Sequence, residues 1–339
     1  MKRGKVVFFC NDKLQHINTM EYYQQDIKAF EYLGYDVVVI NKFYQIPFSF
    51  DILYIWWWTY ALIPSMIAKI LNRRVFITGA FNFQEQHGLK NSGFKNRPFY
   101  QRFLITLAYK IVDYNLIVSK NEFTQLKHFY KTSNLFYYPH CISDEYFNNN
   151  INNNRENLLV IAWSGKQNLQ RKGIFDLIEA IYLLKNKNIK VKLTIGGHIG
   201  DGFYFLQNLI KQKNLTDSID LLGELTKEQK LILMSNKMLY LQPSYYEGFG
   251  LAAAEALASG CTIITCDVGE VKEVLADGAK YTIPGNISML ADNIEKLIFD
   301  TDERLRLNNN GYQHLIKNYS FKKKVTNLNT ILNHFKNGL

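Results

Sequence analysis

One strand–loop–helix–strand pattern does most to constrain the fold of this 339-residue chain. Met238 to Gln242 is a mostly apolar run that ends at Pro243, which is typical of a short buried strand. From Leu251 the sequence is rich in alanine, the strongest helix former, until Gly260, which suits a helix end. Cys261 to Cys266 is a second strand-like run. We therefore expect one repeating unit of a parallel α/β sheet.

The loop of this unit carries an acidic residue, Glu247, and the helix carries another, Glu255. Gly248 and Gly250 bracket Phe249, and their lack of a Cβ allows backbone conformations and close approaches closed to other residues. In an open α/β sheet such a loop lies at the carboxyl end of a strand, where ligands bind. The N–H groups at the start of the next helix can bind an anion. The pattern therefore predicts a site for an anionic ligand.

Strand-like runs alternate with helical patterns along the rest of the chain, which predicts parallel sheets built from βαβ units. The alternation pauses at the asparagine cluster 148–154, which is typical of a linker. We predict two Rossmann-like domains that face each other across a cleft. The first domain would comprise residues 1–150 and the second residues 151–320, and the helix at 321–339 would pack back on the first domain.

The formal net charge of +10 favours anionic partners such as nucleotides, lipid headgroups or nucleic acid, without choosing among them. No recognised nucleic-acid-binding module is present, so we expect no nucleic-acid partner. The four cysteines are scattered, with none of the spacing of a metal site. We interpret them as buried, reduced thiols of a cytoplasmic protein.

Residues 52–68 carry no charged side chain and approach the length of a membrane span. Pro64 interrupts this run, and its aromatic residues lie in the middle rather than at the ends. We therefore expect a buried strand from Ile52 to Ile55, followed by a helix that begins at Pro64.

Between Lys90 and Lys110, basic side chains alternate with aromatic ones. A helix of this composition can lie on an anionic membrane surface, and the alternative is a helix with one core face and one solvated basic face. We favour the membrane-surface interpretation and therefore expect a cytoplasmic protein that is peripheral on the inner membrane face.

Common cofactor motifs are absent. The first strand leads into Asn11 to Leu14 without a glycine, so no dinucleotide fingerprint is present, and no Walker-type loop occurs. The Asp300-Thr301-Asp302 sequence follows a helical pattern and is interpreted as a helix cap rather than a metal site. We expect neither a cofactor nor a metal.

A second polar segment follows another predicted strand. Gly165 and Lys166 begin it and Lys172 ends it, again at the carboxyl end of a strand. Two lysines that face a helix N-terminus can hold a diphosphate without a metal. The alternative is a solvated basic loop.

These segments together resemble the retaining glycosyltransferases of family 4, which have the GT-B fold. Glu247 to Leu251 with Glu255 resembles the family's E-x7-E signature, and Ser164 to Gly173 resembles its phosphate loop. Pro139 to Phe147 resembles its interdomain segment, and Gly269 to Val274 a further glycine-containing motif. The resemblance covers most of residues 137–275.

The resemblance implies that residues 151–320 bind a nucleotide-sugar donor and that residues 1–150 bind the acceptor. It also implies site residues for the donor. Lys166 and Lys172 would bind the diphosphate and offset the charge of the leaving group. Glu247 would accept hydrogen bonds from the sugar and Glu255 from the ribose, and Leu225 would pack near the base. The implied donor-binding residues are Gly165, Lys166, Lys172, Leu225, Glu247, Gly248, Phe249, Gly250, Leu251 and Glu255.

The family often places a His or Asp of the first domain opposite the transferred sugar. His87 is the candidate here, and His16 is a weaker one. His140 and Cys141 replace the Asn-Gly pair that the family usually carries in its interdomain segment. The implied catalytic set is therefore Glu247, Lys172, Lys166 and His87.

The resulting prediction is a retaining, metal-independent glycosyltransferase. It would move a sugar from a UDP- or GDP-linked donor to a glycan or lipid-linked acceptor in surface polysaccharide or glycolipid synthesis, with an anionic membrane as a further candidate partner. Two alternatives remain open. A nucleotide-sugar epimerase of the same fold would need additional acid–base carboxylates, and a non-catalytic nucleotide-sugar-binding subunit would show no turnover.

Overall fold

The computed structural model describes residues 3–81, 83, 93–147 and 155–334. The chain forms two compact units. The first comprises Met1–Cys141 and Tyr319–Leu339, and the second comprises Ile142–Asn318. Each contains a six-stranded sheet whose described strand pairs are all parallel.

Strands and helices alternate in both units. The strands are β1 (Gly4–Cys10), β2 (Tyr35–Ile40), β3 (Ile52–Trp56), β4 (Arg74–Gly79), β5 (Tyr114–Ile117), β6 (Leu135–Tyr137), β7 (Glu156–Ile161), β8 (Leu193–Gly196), β9 (Ile219–Gly223), β10 (Lys237–Gln242), β11 (Thr262–Cys266) and β12 (Ala279–Thr282). The helices are α1 (Leu14–Thr19), α2 (Glu21–Tyr32), α3 (Leu62–Ile70), α4 (Phe99–Ile111), α5 (Lys120–Tyr130), α6 (Lys166–Arg171), α7 (Ile174–Asn186), α8 (Phe203–Gln212), α9 (Lys227–Asn236), α10 (Leu251–Ala258), α11 (Val271–Leu275), α12 (Ile287–Phe299), α13 (Thr301–Tyr319) and α14 (Phe321–His334).

The first unit has the strand order β2-β1-β3-β4-β5-β6. Alternate residues of its strands enter two separate cores, because successive side chains of a strand point to opposite faces. Val7, Leu53 and Ile77 enter the core that is covered by α3, α4 and α5. Phe8 and Tyr54 enter the core that is covered by α2 and α14.

A buried ion pair ties α14 into the first unit. Lys324 Nζ lies 2.8 Å from Asp26 Oδ1, with the two side chains 2% and 1% exposed. Asp26 Oδ2 accepts hydrogen bonds from the Tyr54 hydroxyl at 2.9 Å and from Trp56 Nε1 at 3.0 Å. Lys324 Nζ also lies 3.8 Å from the ring centroid of Tyr138. The last helix therefore belongs to the first unit, although it follows the second in sequence.

The second unit has the strand order β12-β11-β10-β7-β8-β9. It begins at Ile142, earlier than the predicted boundary at residue 150. The reason is that residues before the asparagine cluster pack on this unit. Tyr146 is buried, the ring of Phe147 lies 5.8 Å from that of Tyr312, and Glu145 pairs with Lys227 at 2.5 Å.

Three segments have informative local structure. Helices α1 and α2 are separate because Met20 between them is extended. The polar segment after Gly165 was predicted to be a loop and is the short helix α6. The uncharged run 52–68 is, as predicted, a buried strand followed by a helix, β3 and α3. Of the helices that the structure describes, none has both the length and the apolarity needed to span a bilayer.

Candidate active site

The site is built on the loop between β10 and α10, and the two glycines of this loop differ. Gly250 has φ +79, and a Cβ there would lie 3.0 Å from Val271, so the backbone needs glycine at this position. Gly248 has no atom within 4 Å of the position that a Cβ would take. The expectation that both glycines serve the backbone is therefore wrong for Gly248, which borders open space.

Glu247, between β10 and these glycines, is a buried carboxylate with three polar partners. Its Oε1 lies 2.5 Å from Lys172 Nζ and 3.4 Å from an Arg171 guanidinium nitrogen, and it accepts a 3.0 Å hydrogen bond from Ser244 Oγ. The side chains of Lys172 and Glu247 are 11% and 9% exposed. The structure thus brings together two of the predicted catalytic residues, Lys172 and Glu247.

Charge and burial act in opposite directions on Glu247. Burial raises the pKa of this carboxyl group, whereas the positive charges of Lys172 and Arg171 lower it. Hydrogen bonds from Lys172 and Ser244 lower it further, and the pKa lies below its ordinary value. Glu247 is therefore an ionised carboxylate at neutral pH, suited to accept hydrogen bonds rather than to donate a proton.

The turn between α6 and α7 sets the positions of the two cations. Gly173 has φ +66, and a Cβ there would overlap the carbonyl oxygen of Pro243, so only glycine lets this turn lie against the end of β10. The Tyr245 N–H donates to the Arg171 carbonyl at 2.8 Å, and the Arg171 guanidinium donates to the Tyr246 carbonyl at 2.9 Å. These bonds hold the end of α6 against the loop that carries Glu247.

A second turn holds the loop from the other side. Gly269 has φ +59, and a Cβ there would overlap the carbonyl oxygen of Glu247. The N–H of Glu270 donates to the carbonyl of Gly248 at 2.9 Å. The Gly269 motif that the sequence points to therefore shapes the loop that carries Glu247.

Lys166 lies apart from this cluster. It begins α6, so about 7.5 Å of helical rise separates it from Arg171 at the other end. Its N–H donates to Asp201 Oδ1 at 2.9 Å and its side chain is exposed. The adjacent Gly165 is the N-cap of α6. Arg171 lies within the segment that resembles the phosphate loop but is not among the predicted site residues, and it is the second cation beside Glu247.

Glu255 has a partner that the sequence reasoning missed. It is 2% exposed within α10, and its Oε2 lies 2.5 Å from Nζ of Lys230 on α9. Lys230 Nζ also lies 5.2 Å from the ring centroid of Tyr146. A capping box formed by Thr226 and Gln229 lies at the start of α9. It fixes where α9 begins, but the sequence holds no signal that α9 lies beside α10.

Leu225, Phe249 and Leu251 are further residues of the predicted donor site. Leu225 packs over the end of β8, where a Cβ on Gly196 would lie 2.5 Å from its Cδ1. Phe249 is buried, and Leu251 is the first residue of α10. The roles of these residues in donor binding remain predictions.

In the first unit, His87 lies outside the described residues. His16, the weaker candidate, has its Nδ1 3.1 Å from Asp12 Oδ1. The Tyr23 hydroxyl donates to the other oxygen of Asp12 at 3.1 Å, and Trp57 Nε1 donates to the Tyr23 hydroxyl at 3.0 Å. This chain of hydrogen bonds follows the carboxyl ends of β1 and β3.

His140 packs against an aromatic ring and an amide of the first unit. Its ring stacks on that of Trp56, with centroids 6.1 Å apart and an angle of 13°, and Gln25 Nε2 lies 2.7 Å from its Nδ1. Burial, reinforced by the charge of Lys324, lowers the pKa of His140 to about 3. The imidazole is therefore neutral at pH 7.

Two predictions concern metals and thiols. Among the residues that the structure describes, no group of three or more His, Cys, Asp or Glu could hold a metal ion. Asp300, predicted to be a helix cap, accepts a 3.0 Å hydrogen bond from the N–H of Glu303. The four cysteines are buried thiols, as predicted.

Comparison with known sequences places this site in a family. The family model described as "Glycosyl transferases group 1" matches residues 144–314, half of the chain. The chain belongs to the group 1 glycosyl transferases. The predicted enzyme class, a glycosyltransferase, is confirmed at the level of this family.

Curated relatives of the chain include other glycosyltransferases. It is 27% identical to a glycosyltransferase of Methanocaldococcus jannaschii, over 55% of the chain and 56% of that protein. It is 26% identical to the MMP alpha-(1->4)-mannosyltransferase of Mycolicibacterium hassiacum, over 50% and 40%. It is also 26% identical to the capsular polysaccharide biosynthesis glycosyltransferase CapM of Staphylococcus aureus, over 52% and 46%. The aligned part of the chain thus spans about half the length of these relatives.

Solved structures resemble the chain over nearly its whole length. Sucrose-phosphate synthase of Thermosynechococcus elongatus superposes with a TM-score of 0.76 at 16% identity, over 98% of this chain and 99% of the other. Anabaena HepE, in complex with UDP, gives 0.75 at 15% identity, over 97% and 100%. At these identities the similarity shows the fold alone. Together with the two parallel sheets, it confirms the predicted GT-B fold.

Proposed function

We propose that this chain is a retaining, metal-independent glycosyltransferase that uses a UDP- or GDP-linked sugar. The observation that carries the proposal is the buried contact between Lys172 and Glu247 beside the open space at Gly248. The donor is the proposed ligand of the second unit, and no cofactor takes part in the proposed reaction. The acceptor is a glycan or a lipid-linked saccharide, which the name of the relative CapM supports.

The cations are the proposed holders of the diphosphate. Lys172 and Arg171 bring two positive charges to one carboxylate, so the cluster has a net charge of +1. Buried charge-assisted hydrogen bonds are strong, and they stabilise charge that develops during a reaction. When a diphosphate enters, Lys172 exchanges Glu247 for a phosphate oxygen and offsets the charge that grows on the leaving group. The UDP complex of the structurally similar HepE supports a nucleotide as the ligand.

Glu247 is the proposed acceptor of hydrogen bonds from the transferred sugar. The contacts that the described residues make with Glu247 converge on Oε1, and Oε2 is the proposed acceptor of a sugar hydroxyl. Gly248, the next residue, borders space that the side chain of any other residue would enter. A sugar ring needs this kind of setting, in which acceptor oxygens lie beside an unfilled volume.

Glu255 is the proposed acceptor of the ribose hydroxyls, and Lys230 is a positioning residue for it. Their 2.5 Å contact fixes the carboxylate of Glu255 before the nucleotide arrives. A hydrogen-bonding group that is already oriented costs less entropy to use when the ligand binds.

The ionised state of Glu247 favours transfer over epimerisation. An epimerase must move a proton at a sugar carbon, and the lowered pKa of Glu247 makes this residue a poor proton donor. The metal-independent part of the proposal rests on Lys172 and Arg171, which supply positive charge where other transferases use a cation.

The testing experiment measures sugar transfer from a panel of nucleotide sugars by the wild type, Lys172→Ala and Glu247→Ala, with EDTA in every reaction. We expect the rate of sugar transfer to fall by at least 100-fold in both variants, about the effect of removing one hydrogen-bond donor from an oxyanion hole. Lys192→Ala is the matched control, because Lys192 pairs with Asp220 at an exposed site in the same unit. An α-linked donor should give an α-linked product by NMR. Full transfer by both variants, or no turnover by the wild type, would contradict the proposal.

A further inference from the structure

Helix α3 exposes apolar side chains to solvent. Ile63, Met66 and Ile70 are 55%, 49% and 80% exposed. Their spacing of three and four residues puts them on one side of the helix. The opposite side, with Pro64 and Ala68, is buried in the first unit. In a water-soluble helix this outer side is normally polar.

Helix α4 repeats the pattern with larger side chains. Tyr100, Phe103, Leu104 and Leu107 recur at the helical spacing and are 61%, 57%, 41% and 36% exposed. Phe99 at the start of the helix is 76% exposed, and its ring stacks near that of Phe103. The helix therefore carries one apolar stripe in the core and another in solvent.

The two outer stripes face the same way. The inner residues of both helices, such as Ala68 and Ala108, enter one hydrophobic core on a single face of the sheet. Helices α3 and α4 contact each other in that layer. Their outer sides therefore form one surface, which we call the α3–α4 face. It comprises the outward residues Ile63, Met66, Ile70, Phe99, Tyr100, Phe103, Leu104 and Leu107.

The two stretches of sequence that carry the α3–α4 face are basic. The stretches 57–74 and 93–112 contain no Asp or Glu and seven basic residues, namely Lys69, Arg73, Arg74, Lys95, Arg97, Arg102 and Lys110. One of them, Lys69, is paired with Asp113 at 2.6 Å. The other basic residues add positive charge to the stretches that carry this apolar centre, which complements an anionic surface.

We propose that the α3–α4 face docks on an anionic lipid bilayer, with the apolar side chains in the headgroup region and the basic residues on lipid phosphates. Apolar stripes flanked by basic residues are what interfacial helices present to membranes. A second copy of the chain is a poorer occupant, because two faces of the same sign would repel each other.

The test is co-flotation of the full chain with vesicles of phosphatidylglycerol and phosphatidylcholine, against vesicles of phosphatidylcholine alone. No donor is added, so the outcome is independent of the proposed transfer activity. We expect binding to the anionic vesicles, weakened by salt. Phe103→Ser and Ile70→Ser should each lower the partition coefficient roughly tenfold, since each removes a large apolar side chain from the interface. Lys110→Gln should lower it roughly fivefold.

Phe48→Ser is the matched control. Phe48 is 87% exposed and belongs to neither helix, so binding should not change. Circular dichroism melting confirms that all variants fold, because the substituted side chains lie outside the core. Three results would overturn the proposal. One is a wild type that does not float with anionic vesicles, and another is an equal effect of Phe48→Ser and Phe103→Ser. The third is a wild-type dimer in sedimentation that Phe103→Ser converts to a monomer without any vesicle binding.

Discussion

Replacing Lys172 with methionine tests the energetics of the site. Methionine keeps much of the length and apolar bulk of lysine but removes the charge that faces Glu247. In the wild type the two side chains are 11% and 9% exposed, so water gives their charges little solvation. Removing one partner of such a pair leaves a buried carboxylate without its main counterion.

The loss of unfolding free energy in Lys172→Met depends on the contacts that Glu247 keeps. Breaking a buried pair costs about 3–5 kcal/mol. Arg171 stays 3.4 Å from the same oxygen and Ser244 still donates to it, so we expect the lower end, about 3 kcal/mol. For a unit of this size that free energy lowers the Tm by roughly 6–12 °C.

The assay is urea unfolding of wild type, Lys172→Met, Glu247→Gln and the double variant. The double variant should recover part of the loss, because it no longer holds an uncompensated carboxylate. Lys192→Met is the control and should change the unfolding free energy by about 1 kcal/mol or less, as expected of its exposed pair with Asp220. If Lys172→Met unfolds at the wild-type urea concentration, the buried pair does not carry the energy assigned to it.

The same pair predicts a pH dependence. The pKa of Glu247 is lowered in the folded chain, so its contribution to stability is complete above the ordinary value of 4.5. That contribution is lost as the pH falls through the lower, folded pKa. Because Lys172→Met raises the folded pKa, the variant should lose less stability than the wild type between neutral and acidic pH. An equal acid-induced loss in both proteins would contradict this assignment.

Three further substitutions probe other parts of the account. Gly248→Ala should leave the unfolding free energy within about 0.5 kcal/mol but lower transfer at least tenfold, because its Cβ enters open space; a destabilised variant would contradict this. Lys230→Met should raise the donor KM roughly tenfold with a smaller change in kcat, and Lys230→Arg should restore it, since Lys230 orients Glu255; steady-state kinetics will show whether KM moves. Lys324→Met should lower the unfolding free energy of the first unit by about 3–5 kcal/mol, because Asp26 loses its buried counterion. An unchanged midpoint in urea unfolding would refute this expectation.

Local sequence signals were enough to predict most of the fold. Alternating apolar runs indicated the strands, and the Thr226–Gln229 pair marked the start of α9, because these features depend on neighbours in the sequence. The start of the second unit at Ile142 could not be predicted from the sequence. It depends on where Tyr146 and Phe147 pack rather than on the composition of the linker.

Within the site, the sequence predicted the residues that lie on motifs and missed the partners that folding brings to them. The segment that ends at Lys172 follows β7 and the loop with Glu247 follows the neighbouring β10, so their meeting could be expected from topology. Lys230 meets Glu255 only because two helices pack side by side. The exposed apolar side of α3 could not be predicted from the sequence. The uncharged composition of residues 52–68 is equally compatible with a strand and a helix that are both buried.

The central claim is that Lys172 holds the diphosphate of a nucleotide-sugar donor. The most direct measurement is isothermal titration of a nucleoside diphosphate and the matching monophosphate, UDP with UMP and GDP with GMP, into wild type and Lys172→Met. We expect the wild type to bind one diphosphate more tightly than its monophosphate by roughly 10- to 150-fold, the value of a charged hydrogen bond. Lys172→Met should lose most of that difference. A difference that survives the substitution, or a wild type that binds neither diphosphate, would contradict the claim.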